Sequence, residues 1–254
     1  WQALWRDPSR PQEPVNADPN GWRGEGRDPN GNHVVPWGAF FRTKGVWAVI
    51  AAHFADNWAK FALTAWLPTY FTHYGISLTH ASMLALVPPI AGIMVAGFAG
   101  PAATAQIRAG RDITTVRRNF MLLALLLPAG CLLGASVLIQ QTMASIFLVI
   151  AAIALSRFCV ASLYCIHADM SPKHSAPLLG ITNTAGAFAG VLSSKVVGGI
   201  FQQTGSWQLA LFGPTIAIYI IGAAIFSALI DVRPHNFDAV DGEDIVMPRE
   251  QRVH

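Results

Sequence analysis

Charge is scarce in this 254-residue chain. Asp, Glu, Lys and Arg together make up 12% of it, about half of what a soluble domain carries. The formal net charge is +3, and no nucleic-acid partner is expected from so small a surplus. Cysteine is equally sparse: Cys131, Cys159 and Cys165 all lie inside apolar blocks, so neither a disulfide nor a Cys-based metal site is expected. There is no HExxH, no phosphate-binding loop, no nucleophile elbow and no GxGxxG, and the Ser, His and Asp residues are scattered without telling spacing. That excludes the common enzyme signatures, so no catalytic residue, metal or cofactor is assigned. The sequence begins at Trp1 with no Met, basic leader or signal-peptide pattern, and reads as a fragment of something longer.

What is abundant is apolar residue, at 53%, with a mean hydropathy of +0.41. It comes in blocks, and six of these read as membrane-spanning helices at about 46–71, 78–107, 119–139, 143–168, 178–202 and 207–230. The expected fold class is therefore all-α membrane protein. Residues 1–45 are rich in Pro, Gly, Asn, Asp and Arg, a linker composition that cannot bury enough apolar surface to order itself. Val35-Pro36-Trp37 reads as an interfacial foot. The tail 231–254 is polar, partly acidic and expected to be disordered.

Six spans put both termini on one side. Fourteen of the 17 Lys and Arg residues then fall on that side, none in the opposite loops at 72–77, 140–142 and 203–206, and Lys60, Arg157 and Lys195 lie inside spans. By the positive-inside rule the termini face the cytosol or stroma.

The first span carries His53, Asp56, Asn57, Lys60 and Thr64 at offsets 0, 3, 4, 7 and 11. At about 100° per residue these share one helical face. An ionised side chain facing lipid is costly, so such a stripe faces protein or a watery cavity. It is either a structural Asp56–Lys60 pair at i,i+4 or the lining of a solute pathway, and the pathway is the leading reading. Arg157 lies too deep in span four to snorkel; it is either paired, with Asp56 or with a helix outside this chain, or an anion ligand. Lys195, nearer its span end, snorkels. In span two, Pro88-Pro89 must break the helical ladder, with Gly92, Gly97, Gly100 and Pro101 loosening it further. Span five places Thr182, Gly186, Gly190, Ser194 and Gly198 at four-residue spacing, a groove for another helix, with Asn183 beside it as a pathway candidate. His167 and Asp169 close span four; they are a possible proton relay, although a helix-end His that caps carbonyls is commoner.

HFADNW…TAWLPTYF (53–71), ITTVRR (113–118), IHADMSPKHSA (166–176) and GITNTAG (180–186) occur in order. Together they resemble the anion:cation symporter family of the major facilitator superfamily, which includes plastid phosphate transporters, sialin and vesicular glutamate transporters. The resemblance implies a twelve-helix fold of which this chain is the second half. The missing first half, membrane lipid and a small anionic substrate are then its partners. It also implies a symporter of inorganic phosphate or an organic anion coupled to Na⁺ or H⁺, in the plastid envelope, another organelle or the plasma membrane. The alternatives are an organic-anion or sugar-phosphate exchanger of the same superfamily, or a non-transporting sensor or scaffold. One departure stands out. Asp56 sits where relatives of the glutamate branch carry Arg and those of the plastid branch His, Lys60 replaces an aromatic residue, and Arg157 replaces a small one.

Overall fold

The computed structural model describes residues 35–235 and 237. The chain divides at Pro36 into two units, and all helices described below belong to the second, which starts at Trp37.

A stub, α1 (Trp37–Arg42), leads into α2 (Lys44–His73). Thr43 Oγ1 donates to the Ala39 carbonyl at 2.8 Å and Trp47 Nε1 to the Phe41 carbonyl at 2.8 Å, which staples the stub to the long helix. At 1.5 Å per residue α2 is about 45 Å long, enough to cross a bilayer. The turn after it uses Gly75 at φ 82°, and Ser77 Oγ then accepts from His80 N to start α3 (Leu78–Leu84). The next helix, α4 (Val87–Arg108), begins only after a step at Ala85–Leu86. The reason is chemical: Pro88 and Pro89 have no N–H to offer the carbonyls of Leu84 and Ala85, so the ladder must restart.

Asp112 caps α5 (Ile113–Val137), its Oδ2 accepting from Thr115 N at 2.9 Å and Thr115 Oγ1 at 3.1 Å. This cap starts the helix earlier than hydropathy suggested, so Arg117 and Arg118 sit in its first turns rather than in the preceding loop. The next span is interrupted: α6 (Thr142–Leu155) tightens into a 3₁₀ stretch, Ser156–Ala161, before α7 (Leu163–Met170). The freed groups are satisfied by α5. Arg117 Nη1 donates to the Ala161 carbonyl at 2.6 Å, and Ser162 Oγ donates to the Arg117 carbonyl at 2.7 Å. Irregular backbone at such depth is tolerated where protein meets it in this way.

The longest apolar partner of α2 is α8 (Ser175–Thr204), closed by Gly205 at φ 62°. A π turn, Gln208–Phe212, opens α9 (Gly213–Leu229). Pro214 lacks an N–H, and the turn before it widens so that Gly213 N donates to Gln208 O five residues back.

Among the described residues five helical segments are long and apolar enough to cross a membrane: Leu78–Arg108, Ile113–Val137, Thr142–Met170, Ser175–Thr204 and Gln208–Leu229. The long α2 is not one of them by composition, because its polar stripe dilutes its apolar run. It lies instead at the centre of the bundle, packed against α8 and α9. One end of α2 is plugged by aromatics: Tyr70 packs edge-on against Trp207 and Phe212, Trp207 stacks on Phe201 at 4.1 Å, and Tyr70 Oη pairs with Ser145 Oγ at 2.7 Å.

Both flanks differ from the sequence expectation where they are described. Residues 37–42 and 44–45 are helical, not linker. The segment after α9 is packed: Val232 and Phe237 are buried, His235 N donates to the Met170 carbonyl at 2.7 Å, and Phe237 meets the ring of Phe40 edge-on at 4.9 Å. Their apolar side chains, set among polar neighbours, find a seat that composition alone hides. The linker expectation for 1–34 and the disorder expectation for 236 and 238–254 lie outside the described residues.

Candidate functional site

The polar stripe of α2 splits three ways. His53 and Asn57 turn toward α8, Asp56 toward the 3₁₀ stretch, and Lys60 and Thr64 toward a cavity. The first contact depends on the missing side chain of Gly186, since a Cβ there would fall 2.0 Å from Asn57 Nδ2 and 3.0 Å from His53 Cδ2. One turn on, a Cβ at Gly190 would meet the Phe61 ring at 2.5 Å, and at Gly198 it would touch Trp66 at 3.1 Å. The small-residue groove read from sequence therefore receives α2 itself. Ser194 lies in the same groove and turns its hydroxyl back to the Gly190 carbonyl at 3.3 Å.

Asn57 passes order on to the cavity. Its Oδ1 accepts from Lys60 Nζ at 3.2 Å, and that ammonium also stands 5.5 Å from the centre of the Phe61 ring. The Asp56–Lys60 pair expected at i,i+4 is not formed. Asp56 points instead to Arg157, whose Nη2 lies 3.9 Å from Oδ1. That is an ion pair without a hydrogen bond, and neither oxygen of the fully buried Asp56 has a hydrogen-bond partner. Arg157 is held from its own backbone side, with Nε and Nη2 donating to Ser156 Oγ at 3.3 and 3.1 Å. Its stem crosses α4 over Gly92, where a Cβ would stand 2.7 Å from Arg157 Cγ. Gly92 is thus the seat of the arginine.

The cavity that results has a volume of 330 Å³. Lys60, Thr64 and Leu67 of α2 form one wall, the break at Ala85, Pro88 and Pro89 with Gly92, Ile93 and Ala96 a second, and Ile153 with Arg157 the third. It holds two cations and the Thr64 hydroxyl in an otherwise apolar lining, with one carboxylate behind Arg157, so the formal charge of Lys60, Arg157 and that carboxylate is +1. Size and charge suit a small anion: guanidinium offers a planar fork to carboxylate or phosphate, and ammonium a point charge.

Other sequence candidates lie elsewhere. His167 Nε2 pairs with Thr182 Oγ1 at 2.8 Å, tying α7 to α8, and Asp169 accepts from Arg117 Nε at 2.7 Å. The two thus hold separate partners. Asn183 and Lys195 are exposed and do not line the cavity. Two features escaped sequence reading. The Gly92 seat had a signal, a glycine in an otherwise apolar run, but nothing in the sequence pairs it with Arg157. The 3₁₀ stretch carries neither Gly nor Pro and gave none.

Residues 3–194 match the family described as Major Facilitator Superfamily. Over 209 residues the chain is 37% identical to a protein of Arabidopsis thaliana named probable anion transporter 6, chloroplastic, covering 82% of this chain and 40% of that one. It is 31% identical over 220 residues to an Arabidopsis thaliana ascorbate transporter, chloroplastic (86% and 37%), and 31% over 194 residues to a chloroplastic sodium-dependent phosphate transport protein of the same plant (76% and 37%). The chain thus spans about two fifths of the length of these relatives.

Proposed function

Because this chain belongs to the Major Facilitator Superfamily, we propose that it is the second six-helix half of a secondary active transporter for inorganic phosphate or an organic anion. It is a multi-pass, all-α membrane protein, and no enzyme is named among the relatives cited above. The observation that carries the reading is the convergence of Lys60 and Arg157, from two different spans, on one small cavity beside a proline-broken helix. Charges at that depth serve a solute path or pair with an opposite charge; Lys60 is held by an amide rather than a carboxylate, and the carboxylate behind Arg157 stands 3.9 Å off, short of a hydrogen bond.

In this reading α2 joins the five long apolar segments as a further span, the first in chain order, and its buried polar stripe marks it as the helix nearest the path. The termini then lie on the basic side, and the plastid envelope is the membrane that the relatives' names favour. The cavity is open to more than one anion: relatives named for phosphate and for ascorbate support inorganic and organic substrates equally. Coupling is to Na⁺ or H⁺.

The test is uptake by proteoliposomes holding the full-length protein. Labelled phosphate or ascorbate should enter saturably and be competed by small anions, but not by a neutral sugar of similar size. Failure to move either anion under any ion gradient would favour a sensor or scaffold instead.

A further inference from the structure

Among the described residues Asp56 is the one acid that is fully buried. No N–H or O–H donates to its two oxygens, the weak Cys159 thiol being the one donor beside them, and its single cationic contact, Arg157 Nη2 at 3.9 Å, falls short of a hydrogen bond. A structural ion pair of this depth is expected to be close and doubly bonded, because only good geometry offsets the loss of water around both charges. This pair is loose. The same guanidinium also lines the cavity with Lys60. Arg157 therefore stands between a carboxylate behind it and any anion in front of it.

The surroundings bear on what Asp56 answers to. On its own helix the nearby groups are Lys60 and His53. The 3₁₀ stretch contributes Arg157 and Cys159, α7 contributes Tyr164, and α9 contributes Tyr219. No titratable side chain belongs to α6, and that of α8, Lys195, is exposed and nine positions beyond Gly186. Asp56 is thus the one acid here, with two fixed cations, neutral phenols, a thiol and a histidine around it.

Resting on the transport reading above, we propose that Asp56 is the proton-coupling group of the cycle. As a carboxylate it competes with the anion for Arg157. A proton from water, added to one of its unpartnered oxygens, ends that competition and raises the formal charge of the Asp56–Lys60–Arg157 set from +1 to +2. The freed guanidinium then binds the anion, and release of the anion lets Asp56 give up its proton and retake Arg157. Anion and proton affinities rise together, as reciprocal linkage requires, so the two cross together and the coupling ion is H⁺ rather than Na⁺.

The experiment uses the full-length protein in proteoliposomes with labelled inorganic phosphate, with membrane potential clamped. With the lumen one pH unit more alkaline than the bath, one-to-one coupling drives accumulation toward about tenfold. Asp56→Asn should bring that ratio to about onefold, while exchange of labelled for unlabelled phosphate persists and loses its pH dependence. Asp56→Glu, which keeps the carboxylate, should retain accumulation. Should Asp56→Asn not fold, calorimetry of phosphate binding to the wild type in two buffers of different ionisation heat reads the same step. Net uptake of a proton on binding supports the inference, and no proton uptake overturns it. Asp56→Asn that still accumulates phosphate on a pH gradient, or a wild type driven by Na⁺ alone, also overturns it. A wild type showing neither uptake nor exchange overturns the transport reading, and this inference with it.

Discussion

Asn57 lies directly over the bare Cα of Gly186, so close that a Cβ there would come within 2.0 Å of its amide nitrogen. That amide, through Oδ1, also fixes Lys60. The helix-packing groove of α8 and the cation of the cavity are therefore linked through a single side chain. Gly186→Ala should displace Asn57 and loosen Lys60, lowering anion uptake severalfold in a protein that still inserts. Gly190→Leu drives a full side chain into Phe61 and should destabilise by about 1–3 kcal/mol or more, as overpacked interfaces do. Proteoliposome uptake measures the first and the midpoint of thermal aggregation in detergent the second, and an unchanged midpoint in Gly190→Leu would mean the groove does not receive α2.

The Asp56–Arg157 pair makes a second prediction. Arg157→Ala leaves a buried carboxylate without its cation, a change that costs about 3–5 kcal/mol in buried pairs. Asp56→Ala/Arg157→Ala should recover much of that stability and none of the transport. Were the double variant as unstable as Arg157→Ala, Asp56 would not be the partner that matters.

At the other end of the bundle, burial holds the His235 imidazole below the ordinary histidine range, against a smaller opposing effect of its bond to the Arg233 backbone. The sign follows. The docked segment favours neutral His235, so its docking is full above about pH 6.5, the free histidine value, and weakens as pH falls below it. Amide exchange at His235 N, corrected for intrinsic pH dependence, should show protection from its bond to the Met170 carbonyl at neutral pH that declines under mild acid. His235→Phe should keep that protection across the range. Equal pH sensitivity in His235→Phe would assign it to another group.

How much of this was legible in the sequence varies by element. The long apolar helices were, because apolar blocks and proline breaks are local signals, and Pro88-Pro89 marked the α3–α4 step directly. The α8 groove was legible as a four-residue period, though not its occupant. The stripe of α2 was legible as a stripe, but periodicity does not say which of its residues meets which neighbour. Spacing offered Lys60 to Asp56, and depth offered Asp56 to Arg157 as one of two partners; the fold takes the second, about a hundred positions away, and gives Lys60 to Asn57. The 3₁₀ stretch was hidden because its cause is tertiary: Arg117 and Ser162 satisfy the freed backbone across two helices. The start of α5 was misjudged because hydropathy ignores the Asp112 cap.

The claim that an anion sits between Lys60 and Arg157 is tested most directly by protecting the cavity wall. Thr64→Cys, placed in a background whose native cysteines are replaced by Ser, should react with a small thiol reagent from one side of the membrane. Phosphate or ascorbate should slow that reaction several-fold, and Arg157→Gln should abolish the protection while leaving the reaction itself in place. Labelling of Thr64→Cys at the same rate with and without either anion, in a protein that transports it, would contradict the site.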